Sequence, residues 1–202
     1  MTAALSDISA TPLNARALIN VGVFSALYFI AVFATAMLGI LGPGVQIVGF
    51  FLGTIINATI IMLYMVKTPA MGAMTVLGAI IGLLMILTGH YILTLLITAG
   101  LGLVADLIVK AGKYRSRGSN ILAYTIFQFW VIGPLLPIFF AADAYFKETA
   151  ASMGQVYADG MRALFSPTYI LVFLIGNAII AAISGWIGTR ILERHFTRAG
   201  LL

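Results

Sequence analysis

Residues 78 to 117 read GAIIGLLMILTGHYILTLLITAGLGLVADLIVKAGKYRSR, two apolar stretches joined at Thr88-Gly89-His90 and closed by four cations. Between Gly78 and Ala105 there is no charged side chain and a single histidine, His90; Asp106, Lys110, Lys113, Arg115 and Arg117 then follow in close succession. About 20 apolar residues cross the hydrocarbon core of a bilayer, so the stretch can fold only as a membrane hairpin with one dry end and one basic end. Cytoplasmic loops accumulate Lys and Arg. The loop from Lys110 to Arg117 is therefore expected inside and His90 near the outer face, which orients every other span.

The whole chain supports that reading. Of its 202 residues, 62% are hydrophobic and 8% charged, and the mean hydropathy is +1.11, far from the range of soluble domains. The expected fold class is an all-α membrane protein, a single transmembrane domain over residues 1–202. Its connections are too short to contain a nucleotide-binding or catalytic domain, so uptake against a gradient would need an ion or a partner. The net charge of +5 does not point to nucleic acid, because the cations flank apolar spans and form no aromatic-interleaved patch. The absence of cysteine excludes disulfides and thiolate metal sites. Asp7 and Pro12 precede the first basic residue, Arg16, which is not the pattern of a cleaved signal peptide.

Met1 to Ala15 reads as a short cytoplasmic tail. Spans are expected at about 17–37, 45–66, 70–87, 90–109, 121–140 and 169–192, with the uncharged outer loop Gly39 to Gln46 between the first two. Gly133-Pro134 and Pro137 should kink the outer half of the fifth span. Asp106 precedes Lys110 by one helical turn, a spacing that allows an ion pair. Residues 141–167 form the one long polar stretch, whose apolar spacing fits one or two amphipathic helices on the outer surface. With both termini inside, nine cations lie inside, Arg16, Lys67, Lys110, Lys113, Arg115, Arg117, Arg190, Arg194 and Arg198, and only Lys147 and Arg162 outside.

Few residues can carry chemistry. Asp106 is the one carboxylate near a span, at an interface rather than the midplane, which disfavours an ion-coupled carrier. No Ser–His pair, paired aspartates or HExxH motif suggests hydrolysis, and the chain is read as a non-enzyme without a cofactor. His90, with Thr88 and Tyr91, is either an interfacial cap of its turn or a ligand contact in an outer pocket. Asn57, Gln128 and Asn177 each put an amide inside a span, where it pairs between helices or lines a pocket. Trp130, Phe139, Phe140, Tyr145 and Phe146 form either an interfacial aromatic belt or a stacking site. Gly22 and Ala26, four apart, give a face thin enough for close backbone approach, within the bundle or to a partner. The candidate substrate-binding set is His90, Tyr91, Thr88, Trp130, Asp143, Tyr145, Asn57 and Gln46. A largely apolar pocket of this kind suits a flat or amphipathic ligand. The protein alone offers no metal site, but His90 can ligate a haem or metal-complex substrate.

Several stretches in order, Leu18-Ile19-Asn20-Val21-Gly22-Val23-Phe24-Ser25-Ala26-Leu27-Tyr28, Leu87-Thr88-Gly89-His90, Ala105-Asp106-Leu107-Ile108, Gly112-Lys113-Tyr114, Trp130-Val131-Ile132-Gly133-Pro134, Asp143-Ala144-Tyr145-Phe146 and His195-Phe196-Thr197-Arg198-Ala199-Gly200, resemble an S component of an energy-coupling factor (ECF) transporter, of the Trep_Strep type. The resemblance covers essentially the whole chain. It implies a six-helix substrate-binding subunit, multi-pass in a prokaryotic cell membrane, that works with a transmembrane T subunit and two ATPases, on which ATP hydrolysis occurs. Gly22 and Ala26 occupy the place of the helix-1 small residues that dock on the T subunit, although with Gly where many S components have Ala. The implied substrates are vitamins, haem or other iron-bearing molecules. A structural or regulatory membrane protein without a small-molecule ligand is the alternative.

Overall fold

The structure, a computed structural model, describes residues 13–198, with side chains to Arg194. The expected N-terminal tail up to residue 12, and the side chains of the C-terminal stretch from His195 on, lie outside the described residues. Among those described the chain is helical throughout: α1 (Ala15–Ala36, continued by a 3₁₀ turn Met37–Leu41), α2 (Pro43–Lys67), α3 (Ala73–Leu87), α4 (Leu93–Ala111), α5 (Arg117–Phe127, continued by a 3₁₀ turn Gln128–Val131), α6 (Ile132–Leu135), α7 (Pro137–Phe140), α8 (Ala142–Met153), α9 (Gln155–Leu164) and α10 (Pro167–Arg198).

Local chemistry sets many of these boundaries. The Asn14 side chain accepts from the Ala17 N–H at 2.9 Å and starts α1, and Ser116 does the same for α5 through the Ser119 N–H at 3.2 Å, both N-caps. Pro43 opens α2, where its missing N–H costs nothing. Gln46 thus belongs to the first turn of α2 rather than to a loop.

Four segments, Ala15–Leu41, Pro43–Lys67, Leu93–Ala111 and Pro167–Arg194, are long and apolar enough to cross a membrane. The other two expected spans differ. α3 has 15 residues, about 22 Å at 1.5 Å per residue, because Thr68 to Gly72 turn before the helix begins. The expected fifth span is broken: after Phe127 the helix tightens to a 3₁₀ turn at Gln128–Val131, then continues as two short pieces. Pro134 and Pro137 supply no N–H, and each ring crowds the carbonyl four residues back, at Trp130 and Gly133. The outer stretch is two short helices, α8 and α9, hinged at Gly154 with φ +91°.

α3 and α4 form the tight hairpin. A Cβ on Gly78 would collide with the Thr98 carbonyl, and one on Gly102 with the Met74 carbonyl, so these backbones approach as only glycine permits. The hydrophobic centre is built on Tyr28, Ile61, Tyr64, Leu77, Ile81, Tyr124 and Phe127, all buried. Outward faces stay apolar: Leu18, Ile19, Leu27 and Ile30 on α1 and Leu171, Val172, Ile175 and Ile179 on α10 are exposed, as lipid-facing surfaces should be.

The cations gather at one end. Arg16, Lys67, Lys110, Lys113, Arg115, Arg117, Arg190 and Arg194 fall at the start or finish of helices that meet there, and Arg117 and Glu193 form an ion pair between α5 and α10. Asp106 does not pair with Lys110. It is 2% exposed and turns into the hairpin, accepting from the Met74 N–H at 3.0 Å, the Thr75 N–H at 2.9 Å and the Thr75 hydroxyl at 2.6 Å. Gly72 precedes α3 with φ +90° and no side chain to cap it, so a carboxylate from the neighbouring helix serves as the cap. It satisfies orphan N–H groups and sits at the positive end of the helix dipole.

Leaving two buried N–H groups unpaired costs roughly 1–3 kcal/mol each. Asp106→Leu should therefore lower the thermal midpoint of the detergent-solubilised protein strongly, while Asp106→Asn, which keeps an acceptor oxygen, should lose distinctly less; equal midpoints for both variants and the wild type would remove the carboxylate from the account of α3.

Candidate functional site

The end of the bundle opposite the cations is hollow. One face of α2 marks the depth of this space, since Gln46, Phe50, Thr54 and Asn57 succeed one another at three- and four-residue steps. A cavity of about 640 Å³ lies outermost, walled by Gln46, Phe50, the turn Thr88–Tyr91, Pro134, Leu135 and Pro137, and roofed by α8 and α9 through Tyr145, Glu148, Thr149, Ser152, Met153, Tyr157 and Met161. A second chamber of about 230 Å³ adjoins it and shares Gln46, Phe50, Thr88, His90, Pro134, Met153 and Tyr157. Deeper still, a pocket of about 20 Å³ is bounded by Tyr28, Thr35, Thr54, Asn57, Gln128 and Trp130.

The structure brings most of the expected site residues to these walls. Gln46, Thr88, His90, Tyr91 and Tyr145 line the outer cavity, Trp130 the second chamber and the deep pocket, and Asn57 the deep pocket alone. Asp143 lies apart. It is exposed on the outer surface, where Arg162 donates to it at 3.1 Å, and the Arg162 guanidinium also sits 4.7 Å from the centre of the Phe146 ring. This cluster ties α8 to α9, which form the roof. The aromatic cluster divides likewise: Trp130 and Phe146 are buried, Phe139 and Phe140 exposed.

His90 is held by its own turn. Its Nδ1 lies 3.2 Å from the Met85 carbonyl and 3.0 Å from the Thr88 hydroxyl, and Thr88 itself donates to the Met85 carbonyl at 2.9 Å. A carbonyl only accepts, so in the neutral ring the proton is on Nδ1 and Nε2 keeps its lone pair. His90 is exposed at the turn; desolvation by the neighbouring protein lowers its pKa below the ordinary value, partly offset by the Met85 hydrogen bond. The cap and the ligand contact are thus compatible, one nitrogen for each. Tyr145 and Tyr157 keep their protons as well. Burial first, then Tyr157 and Glu148, push the Tyr145 phenol up, and burial raises that of Tyr157.

Phe50, Glu148, Thr149, Ser152, Met153, Tyr157 and Met161 belong to the walls but not to the expected set. The apolar spacing of Tyr145, Met153, Tyr157 and Met161 was a usable signal, since it marks one side of each outer helix. What that side covers depends on how α8 and α9 fold back. Among the described residues Glu148 is the one carboxylate on the outer cavity, and no three His, Cys, Asp or Glu side chains converge on a metal-binding geometry.

A family model described as a hypothetical bacterial integral membrane protein (Trep_Strep) matches residues 15–198. No curated protein and no solved structure matches the chain.

A lowered His90 pKa means that the unfolded chain binds more protons than the folded one between the folded pKa and about 6.5. Stability should be full above that window and fall as pH drops through it. Thermal midpoints recorded from pH 7.5 down to pH 5 should show this decline, and His90→Gln should flatten it; an unchanged profile in the variant would assign the titration to another group.

Proposed function

The chain belongs to the Trep_Strep family of bacterial integral membrane proteins, and on that premise we propose that it is the substrate-binding S component of an ECF-type importer in the cell membrane. The observation that carries this reading is the outer cavity of about 640 Å³ at the end away from the cations. Its volume falls within the range of small-molecule sites, about 300–1,000 Å³. In this reading both termini and the cation-rich end are cytoplasmic, the cavity opens outward, and α3 and the broken segment α5–α7 complete six crossings.

Capture and delivery then fall to different parts of the molecule. The substrate is a flat or amphipathic nutrient, a vitamin, haem or another iron-bearing molecule, lodged among Tyr91, Phe140, Tyr145 and Tyr157, with Gln46, Thr88 and His90 as polar contacts. For a metal complex, the free lone pair on His90 Nε2 would be the ligand. Among the described residues no side chain offers a driving force for uptake. Asp106 is the buried carboxylate among the described residues, and its oxygens are engaged by the start of α3. Energy therefore comes from partner ATPases through a T subunit.

The docking face proposed for that T subunit is on α1. Gly22 and Ala26 are exposed, and a Cβ on Gly22 would meet nothing within 4 Å. The pair is not used for packing inside the bundle, which favours an external partner over the internal role that the sequence also allowed.

Purified in mild detergent, the chain should bring a T subunit and two ATPases with it. Gly22→Leu combined with Ala26→Leu should remove that complex and abolish ATP-driven uptake, while native mass spectrometry still finds the small molecule on the isolated chain. A wild-type chain that copurifies with neither ATPases nor a small molecule would support the structural or regulatory alternative.

A further inference from the structure

Buried polar groups in this bundle are mostly paired. Thr54 donates to the Asn177 side-chain oxygen at 2.7 Å, Asn177 donates to the Gln128 carbonyl at 3.4 Å, and Trp130 Nε1 donates to the Tyr28 hydroxyl at 2.7 Å, which in turn donates to Gln128 Oε1 at 3.4 Å. Single atoms of Ser25, Thr68, Thr94, Tyr114 and Asn120 lack a partner, and among the described residues Asn57 is the side chain with two such atoms. It is 1% exposed, and neither its Nδ2 nor its Oδ1 has a partner; Nε2 of Gln128, 2% exposed, makes no hydrogen bond of good geometry, although the Gln128 side chain faces the Tyr124 hydroxyl. Both side chains line the same deep pocket of about 20 Å³. An amide left unpaired inside a membrane protein is costly, because no solvent or lipid group can take its place.

The pocket adjoins the larger space. Val32, Phe50, Trp130 and Val131 are walls common to it and to the second chamber, so a group in the second chamber lies across these side chains from the two amides. What it must offer is set by what is unpaired: Asn57 presents a donor beside an acceptor, Gln128 a further donor. Among the described residues no charged side chain lines the pocket, which disfavours an ionised head group. The complement of a carboxamide is another amide held cis, whose carbonyl accepts from Asn57 Nδ2 while its N–H donates to Asn57 Oδ1. A cis amide is imposed by a ring. The aromatic walls Phe50, Trp130 and Tyr28 favour a flat one.

We propose that the pocket between α1, α2 and the Gln128–Val131 turn is a deep subsite for the neutral C(=O)–N–H edge of a flat cyclic amide or imide, read by Asn57 and Gln128. This narrows the substrate class of the proposed function and rests on the outer cavity being a substrate site. The body of such a ring occupies the second chamber and its remaining substituents the outer cavity, where Tyr91, Tyr145 and Tyr157 stand.

Three rings of similar size test it on the purified full-length protein: alloxazine, which ends in a cyclic imide; alloxazine methylated on the imide nitrogen; and phenazine, which has no amide. Binding is read by titration calorimetry and by quenching of the tryptophan fluorescence to which Trp130 contributes. Alloxazine should bind about tenfold or more tighter than either control, and Asn57→Leu should reduce that preference to less than about threefold. Should Asn57→Leu fail to yield a monodisperse protein, Gln128→Met carries the same expectation. Equal binding of the three rings by the wild type, or a preference that survives both substitutions, would overturn the inference, leave the pocket as the place of an ordered water, and leave the substrate reading standing. No binding by any ring overturns it too; the substrate reading then falls with it only if native mass spectrometry finds no small molecule on the chain.

Discussion

A backbone group freed where a helix stops inside a bilayer has no water to turn to, and must be satisfied by protein or by a solvated cavity. This chain stops helices in two such places and answers differently at each. At the cation-rich end α3 begins late, after Gly72, and its first N–H groups are met by Asp106 of α4. At the opposite end the prolines of the fifth segment break the helix, and Pro134 and Pro137 stand on the wall of the outer cavity. The first device is a buried charge used to fasten the central hairpin. The second is an interruption used to open space.

From these two solutions the rest of the arrangement follows. The hairpin of α3 and α4 is tight because Gly78 and Gly102 admit backbone contact, and its turn at Thr88 to Tyr91 projects His90 into the hollow end. The broken segment places Trp130 and Gln128 one above the other with Tyr28, linked by hydrogen bonds. α8 and α9, held by the Arg162 contacts to Asp143 and Phe146, close the top. The helices thus present one imidazole, several phenols and the buried amides of Asn57 and Gln128 on the walls of three adjoining spaces.

Much of this was legible in the residues because the apolar runs are long and their boundaries chemical. Pro134 and Pro137 announced the broken segment, and the Lys and Arg clusters separated the two ends. Asp106 shows where such reading stops: its nearest charge in sequence is Lys110, but its partners are 31 and 32 residues away, and only the packed hairpin brings them within reach. Whether Gly22 and Ala26 faced in or out was likewise undecidable, because both alternatives use small residues at the same spacing. The share of the cavity contributed by α8 and α9 escaped for a similar reason. Amphipathic spacing reveals that a helix has an apolar side, not whether that side covers lipid, a packed core or a chamber.

The proposed import role depends on which way the hollow end faces. A cavity for an incoming nutrient must open to the exterior, with the cations of α4, α5 and α10 inside. Single cysteines at Ser152, on the outer cavity wall, and at Ser116, in the turn between α4 and α5, can be exposed in intact cells to a membrane-impermeant thiol reagent; the native chain has no cysteine to interfere. The account predicts labelling at position 152 alone, with position 116 reacting only after the membrane is opened. Labelling at 116 in intact cells, with 152 protected, would contradict it.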